Sequence, residues 1–275
     1  MKQRIKYAFL LAFILCMVEV GFGQTNEALP KRMYINHTLV GISSLSLLDN
    51  YISDRPYQGV DLQLLNRCHS FVNSDHHDWS KRTDVAFNLG IASNESATAQ
   101  IYYGAVNLGF GMQHHFKPMG PFQLLLGGIW DVDVAIRKSS KNSNNNINLD
   151  LSSNLNLATT CIYKLNLLNQ SFRFLLDMRM PLLGVAMVPP RGASYYEIYM
   201  VNNFSDVVHF TSLNTKNALN TLFLVEIPIK NVQLDLGIQS DWMQYHVNRV
   251  FVKKNILSVQ AGISYNFKLF GDRKY

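Results

Sequence analysis

The sequence predicts an all-β chain, a transmembrane antiparallel up-and-down β-barrel of about ten strands, with eight and twelve as the neighbouring counts. Three observations carry this expectation. The last strand-like segment, Ile256–Phe270, sets Leu257, Val259, Ala261, Ile263, Tyr265, Phe267 and Leu269 against Ser258, Gln260, Gly262, Ser264, Asn266 and Lys268. That period-2 alternation is a strand with a different environment on each face. Comparable segments recur along the chain, each longer than the ~9–11 residues that cross a bilayer at a tilt. Charged residues make up only 16% of the chain and hydrophobic ones 48%, yet no segment after the N-terminal leader approaches the ~18–20 unbroken apolar residues of a spanning helix. A chain of this kind enters a membrane as a closed barrel.

The N-terminus has the three parts of a secretory signal: the bases Lys2, Arg4 and Lys6, an apolar stretch from Ala8 to Val18, and small residues at Gly21 and Gly23. Residues 1–23 are therefore expected to be cleaved, leaving 24–275 as a single barrel domain. Cys16 follows Phe13, Ile14 and Leu15 rather than small residues, which argues against a lipid anchor. Removing Lys2, Arg4, Lys6 and Glu19 takes the formal net charge from +6 to +4. With no Lys/Arg run, this mild balance speaks against nucleic-acid binding. Cys68 and Cys161 form no CxxC and read as small apolar strand side chains.

Ten strands are expected, at 37–49, 57–69, 80–93, 99–115, 121–137, 147–163, 171–186, 217–229, 231–245 and 252–268. Links after the fourth, sixth and eighth are short (Pro118–Gly120, Lys164–Gln170, Lys230), and those after the fifth, seventh and ninth are longer (Lys138–Asn146, Met187–Lys216, His246–Phe251). Outer-membrane barrels show this asymmetry between periplasmic turns and external loops. Phe71–Trp79 breaks the pattern, being too long for a turn.

Several strands sort cleanly onto two faces. In the sixth, Ile147, Leu149, Leu151, Leu155 and Leu157 oppose Asn148, Asp150, Ser152, Asn154 and Asn156; in the ninth, Val232, Leu234, Leu236, Ile238 and Trp242 oppose Gln233, Asp235, Gly237, Gln239 and Asp241. The fifth sorts in the same way except for Leu125 and Ile129, which fall on the polar face. Alternation alone also fits a soluble barrel with its apolar face inward. The apolar face is read as outward because the strands are long and the polar faces carry Asn, Gln, Ser, Gly and paired charges rather than many Lys and Glu. Phe122, Phe172, Trp242, Tyr245, Tyr265 and Phe267 near strand ends complete the pattern as expected interfacial girdles.

The polar faces place Asp61, Arg67, His69, Asp84, Asp131, Asp133, Arg137, Asp150, Arg173, Asp177, Arg179, Asp235 and Asp241 in the lumen. Unpaired charges in so narrow an interior are costly, so these are expected to pair. Candidate binding residues are Asp131, Asp133, Arg137, Arg173, Asp177 and Arg179, with Tyr195 and Tyr196 of the long loop Met187–Lys216 as a cap or recognition surface. Asp131 and Asp133, with Asp206 and His209, loosely resemble the acidic and Asp/His groups of the omptin proteases. The Asp206–His209 spacing departs from that pattern and no second motif supports it. No Ser/His arrangement of a barrel lipid hydrolase is found, and His76-His77 reads as a solvated turn rather than a metal site. No catalytic residue, cofactor or metal is expected.

Tyr265-Asn266-Phe267, with Ile263 and Ala261 upstream, resembles the C-terminal assembly signal of bacterial outer-membrane proteins, although eight residues follow it here. Pro181-Leu182-Leu183-Gly184-Val185-Ala186, with Pro189, Gly192 and Ser194-Tyr195-Tyr196-Glu197-Ile198, resembles the signature of an uncharacterised domain-of-unknown-function family of exported Gram-negative proteins similar to outer-membrane β-barrels. The resemblance implies the fold and the outer-membrane location and lends no activity. The expected partners are outer-membrane lipid and the barrel-assembly machinery, with any small-molecule or protein ligand open. The leading expectation is a small structural or ligand-binding barrel with a charge-paired polar lumen. A narrow transport conduit and a lipid- or peptide-hydrolysing barrel are the alternatives.

Overall fold

The computed structural model describes residues 33–71, 78–116, 118–141, 146–167, 170–190, 198, 200, 206–229 and 232–268. The expected leader therefore lies outside the described residues, as do His76, His77, Tyr195 and Tyr196. The strands, in chain order, are β1 (Met33–Asp49), β2 (Ser53–Phe71), β3 (Trp79–Asn94), β4 (Gln100–His115), β5 (Phe122–Ser139), β6 (Ile147–Leu167), β7 (Gln170–Met187), β8 (Val208–Ser212), β9 (Lys216–Ile229), β10 (Val232–Val247) and β11 (Val250–Lys268). Each expected strand is present within a few residues of its predicted bounds. The addition is the short β8, hidden in sequence inside the long link.

Sequence neighbours pair antiparallel, β11 closes onto β1, and β6 pairs with β7. β8 pairs with Leu183–Met187 and β9 with Arg173–Arg179 of the same strand β7, so β8 and β9 share one place in the wall. The result is a closed ten-stranded up-and-down barrel, in which β11 against β1 and β6 against β7 complete the ring. The ladder is irregular at one point. Leu155 faces Leu183 while Asn156 faces Pro181, so Leu182 is an extra residue, and Met180–Leu182 lie between the stretches paired to β8 and β9. Proline lacks a ladder donor and is tolerated at such a bulge.

The register fixes the shape. Stepping from Thr160 through Asp177, Leu222, Gln239, Ser258, Ser43, Asp61, Gly90, Tyr103 and Arg137 returns to β6 at Asn148, twelve residues from the start. With strand rise and spacing of about 3.3 and 4.8 Å this shear tilts the strands by roughly 40°. Met33 pairs with Lys268, so the barrel starts and finishes at one end.

Strand parity behaves as the sequence predicts on β6, β10 and β11. Ser258, Gln260 and Ser264 are buried inside, while Leu257, Val259 and Ile263 face out, Val259 being 70% exposed. Ile42, 71% exposed, lies beside Val259 on the same outer band. Leu125 and Ile129, which parity puts on the polar face, do point inward and are buried, because the lumen contains apolar layers as well as polar ones. One expectation needs correction. Tyr245 is no girdle residue; it shares the parity of Met243 and is buried in the apolar layer near the loop end of the lumen.

The link His246–Phe251 is also shorter than expected. It is a tight turn centred on Asn248 and Arg249, with φ of 54° and 61°. Two successive left-handed residues match the twist of a hairpin, and Asn accepts that conformation readily. The Asn248 side-chain amide donates to the main-chain oxygens of Val188 and Asp206, at 2.8 and 2.7 Å, pinning the residues just after β7 and just before β8 to the hairpin.

Candidate functional site

The lumen is built in layers. Toward the end where β1 begins and β11 finishes, Leu39, Leu65, Ala86, Leu125, Ile162, Leu175, Leu222 and Leu224 form an apolar cluster. Here the inward positions that elsewhere carry Asn or Asp carry Leu, so side chains fill the interior.

Interleaved with this layer is an ionic network of five side chains. Arg82 donates to Asp84 from Nε and Nη2, at 3.0 and 2.7 Å, and to Asp177 from Nη1 and Nη2, at 2.6 and 2.9 Å. Arg67 donates from Nε to Asp84 at 3.2 Å, and its Nη2 lies 3.1 Å from Asp177. Arg179 Nη1 lies 3.3 Å from Asp84, and Thr160 donates to Asp177 at 2.7 Å. β2 and β7 are opposite each other in the ring, so the Arg67–Asp177 contact crosses the lumen. All five residues are buried. Paired, multiply hydrogen-bonded guanidinium–carboxylate groups are the form in which charge survives such burial.

Above the network lies a cavity of about 100 Å³, reaching from Arg179 and Asn156 up to Arg137 and Asp150. Asp131 and Asp133 of β5 point into it. Asn154 Nδ2 donates to both, at 3.0 and 3.1 Å, and Asn107 Nδ2 donates to Asp133 at 2.6 Å. Lys216, the first residue of β9, donates to Ser152 Oγ at 2.8 Å and to Asn154 Oδ1 at 3.3 Å. Lys254 pairs with Asp241 at 2.7 Å. Nearer the loops, Arg137 bridges Asp49 and Asp150, at 3.1 Å each, beneath an apolar cap that includes Tyr51, Tyr57, Tyr103, Val188 and Tyr245.

The structure thus brings Asp131, Asp133, Arg137 and Arg179 together around one cavity, with Asp177 in the network beneath. Arg173 is not part of it; its Nε lies 3.2 Å from Glu226, toward the end where β1 begins and β11 finishes. His209 contacts the main-chain oxygen of Asp206 and the amide of Asn248, at 3.0 and 2.7 Å, outside the set that holds Asp131 and Asp133. The omptin-type association of these four residues is therefore absent among the described contacts. Sequence reasoning missed Arg82, Lys216 and Lys254. Arg82 and Lys254 share the inward parity of Asp84 and Ser258 and were legible on that ground, whereas Lys216 follows an irregular link where parity is lost.

Among solved structures, the barrel is similar to the outer membrane protease OmpT from Escherichia coli, with TM-score 0.52 and 8% identity over 89% of this chain and 99% of that one. It also matches the translocator domain of autotransporter NalP from Neisseria meningitidis, with TM-score 0.42 and 9% identity over 97% and 98%. A third match is the P. putida toluene transporter TodX, with TM-score 0.32 and 7% identity over 89% and 92%. At 8% identity the likeness to OmpT shows the fold, which is that of an outer-membrane barrel. No curated protein matches in sequence. The family model described as "Protein of unknown function (DUF3316)" matches residues 9–274.

Proposed function

The chain belongs to the DUF3316 family of proteins of unknown function, and for this member we propose a non-enzymatic, ligand-binding barrel of the bacterial outer membrane that does not conduct ions. One observation carries the reading: the Arg67–Asp177 and Arg82–Asp177 pairs cross the lumen within a layer of buried leucines. An ion crossing that layer would have to shed water among apolar side chains and part guanidinium–carboxylate pairs, each step costing several kcal/mol. The cavity above it is bounded by this plug on one side and the apolar cap on the other, and suits retention of a small solute rather than its passage. The outward apolar band fits lipid, so outer-membrane lipid and the barrel-assembly machinery are its natural partners.

The test is ion release from liposomes loaded with potassium chloride and reconstituted with the folded protein. Release at the rate of protein-free liposomes is expected; rapid protein-dependent release would refute the closed-barrel reading.

A further inference from the structure

We propose that the cavity is a binding site for a small zwitterion, a solute of amino-acid size carrying one ammonium and one carboxylate. The inference rests on the binding-barrel reading and names its ligand class. It starts from charges that the protein leaves without an ion-pair partner of their own. Asp131 is held by Asn154, and Asp133 by Asn107, Asn154 and, at 3.3 Å, by Ser152. All of these donors are neutral, and no cationic side chain pairs with either carboxylate among the described residues.

Of the cations beside them, Lys216 makes no direct ion pair among the described residues and Arg179 only a shared one. Lys216, 5% exposed, donates to the neutral Ser152 and Asn154 and makes no other hydrogen bond among the described residues. Arg179, 7% exposed, shares Asp84 with two other arginines; its Nη1 has only that 3.3 Å approach and its Nε no hydrogen-bond partner among the described residues. Asn154 separates the two signs: its Nδ2 holds the carboxylates while its Oδ1 takes Lys216. Asn107 Oδ1 and Asn220 Oδ1, both on the cavity lining, are buried without a donor.

Unpaired buried charge is expensive, and pockets with a few convergent polar groups are where ligands complete such sets. Two carboxylates and two cations sum to zero, so a lone anion would meet Asp131 and Asp133 and a lone cation would meet Lys216 and Arg179. A zwitterion satisfies both, with its ammonium toward the carboxylates and the Asn107 oxygen, and its carboxylate toward Lys216 and Arg179. The cavity of about 100 Å³ limits the solute to the size of glycine or alanine.

The experiment is calorimetric titration of the folded, full-length barrel in detergent with glycine, L-alanine, acetate and methylammonium. Saturable binding of glycine or L-alanine is expected, at least tenfold tighter than acetate or methylammonium. Asp133→Asn and Lys216→Met should each weaken it at least tenfold while the protein keeps its heat-modifiable gel migration. No saturable zwitterion binding by the wild-type protein, or equal binding of either singly charged solute, would overturn the proposal. A barrel that binds no zwitterion yet releases no potassium chloride rejects the ligand and leaves the closed lumen standing.

Discussion

Replacing Asp177 by Asn removes one negative charge from the centre of the lumen with almost no change of shape. In the wild-type barrel three guanidinium groups face two carboxylates, and Asp177 takes contacts from Arg82 at 2.6 and 2.9 Å, from Arg67 at 3.1 Å and from Thr160 at 2.7 Å. After the substitution Asp84 alone faces Arg67, Arg82 and Arg179. Breaking a buried pair by removing one partner costs about 3–5 kcal/mol, because the surviving charge is left desolvated. At roughly 2–4 °C per kcal/mol for a domain of this size, unfolding should move down by about 10 °C. The assay is the temperature at which the purified barrel loses its fast-migrating folded band on unheated gels. Arg82→Met combined with Asp177→Leu should fall by less than the sum of the two single losses, as expected for groups in one network. A shift below ~2 °C for Asp177→Asn, against the several kcal/mol expected of a buried pair, would refute a desolvated cross-lumen network.

Other substitutions separate the remaining effects. Lys254→Met should cost only about 1 kcal/mol in the same gel assay, since its pair with Asp241 is partly exposed, at 16% and 24%. Ile42→Arg, on the outer band, should impair insertion of the unfolded chain into lipid vesicles by about 2–4 kcal/mol, measured as the folded fraction across a urea series. Arg249→Gly removes a side chain from a left-handed residue with φ 61° and should raise the unfolding midpoint by the equivalent of about 1 kcal/mol.

The wall was legible from residue order because strand parity is local. Leu257, Val259 and Ile263 alternate with Ser258, Gln260 and Ser264 in the sequence, and they separate in the barrel in the same way. What parity cannot supply is the identity of residues that meet across the lumen. That Arg67 and Arg82 both reach Asp177 depends on the twelve-residue shear and on β2 and β7 standing opposite, which are properties of the closed ring. Leu125 and Ile129 looked misplaced because a uniformly polar lumen was assumed, whereas filling the interior takes apolar layers. Tyr245 was misread for the same reason. β8 escaped notice because Leu213–Thr215 interrupt the alternation between it and β9. Of the candidate site, Asp131, Asp133, Arg137 and Arg179 were found by parity, while Lys216, beside that interruption, was not.

Single-channel recording in planar lipid bilayers tests the closed lumen most directly. The account predicts that the inserted wild-type barrel shows no steady conductance steps at neutral pH in molar potassium chloride; stable, ion-selective steps from the same protein would contradict it.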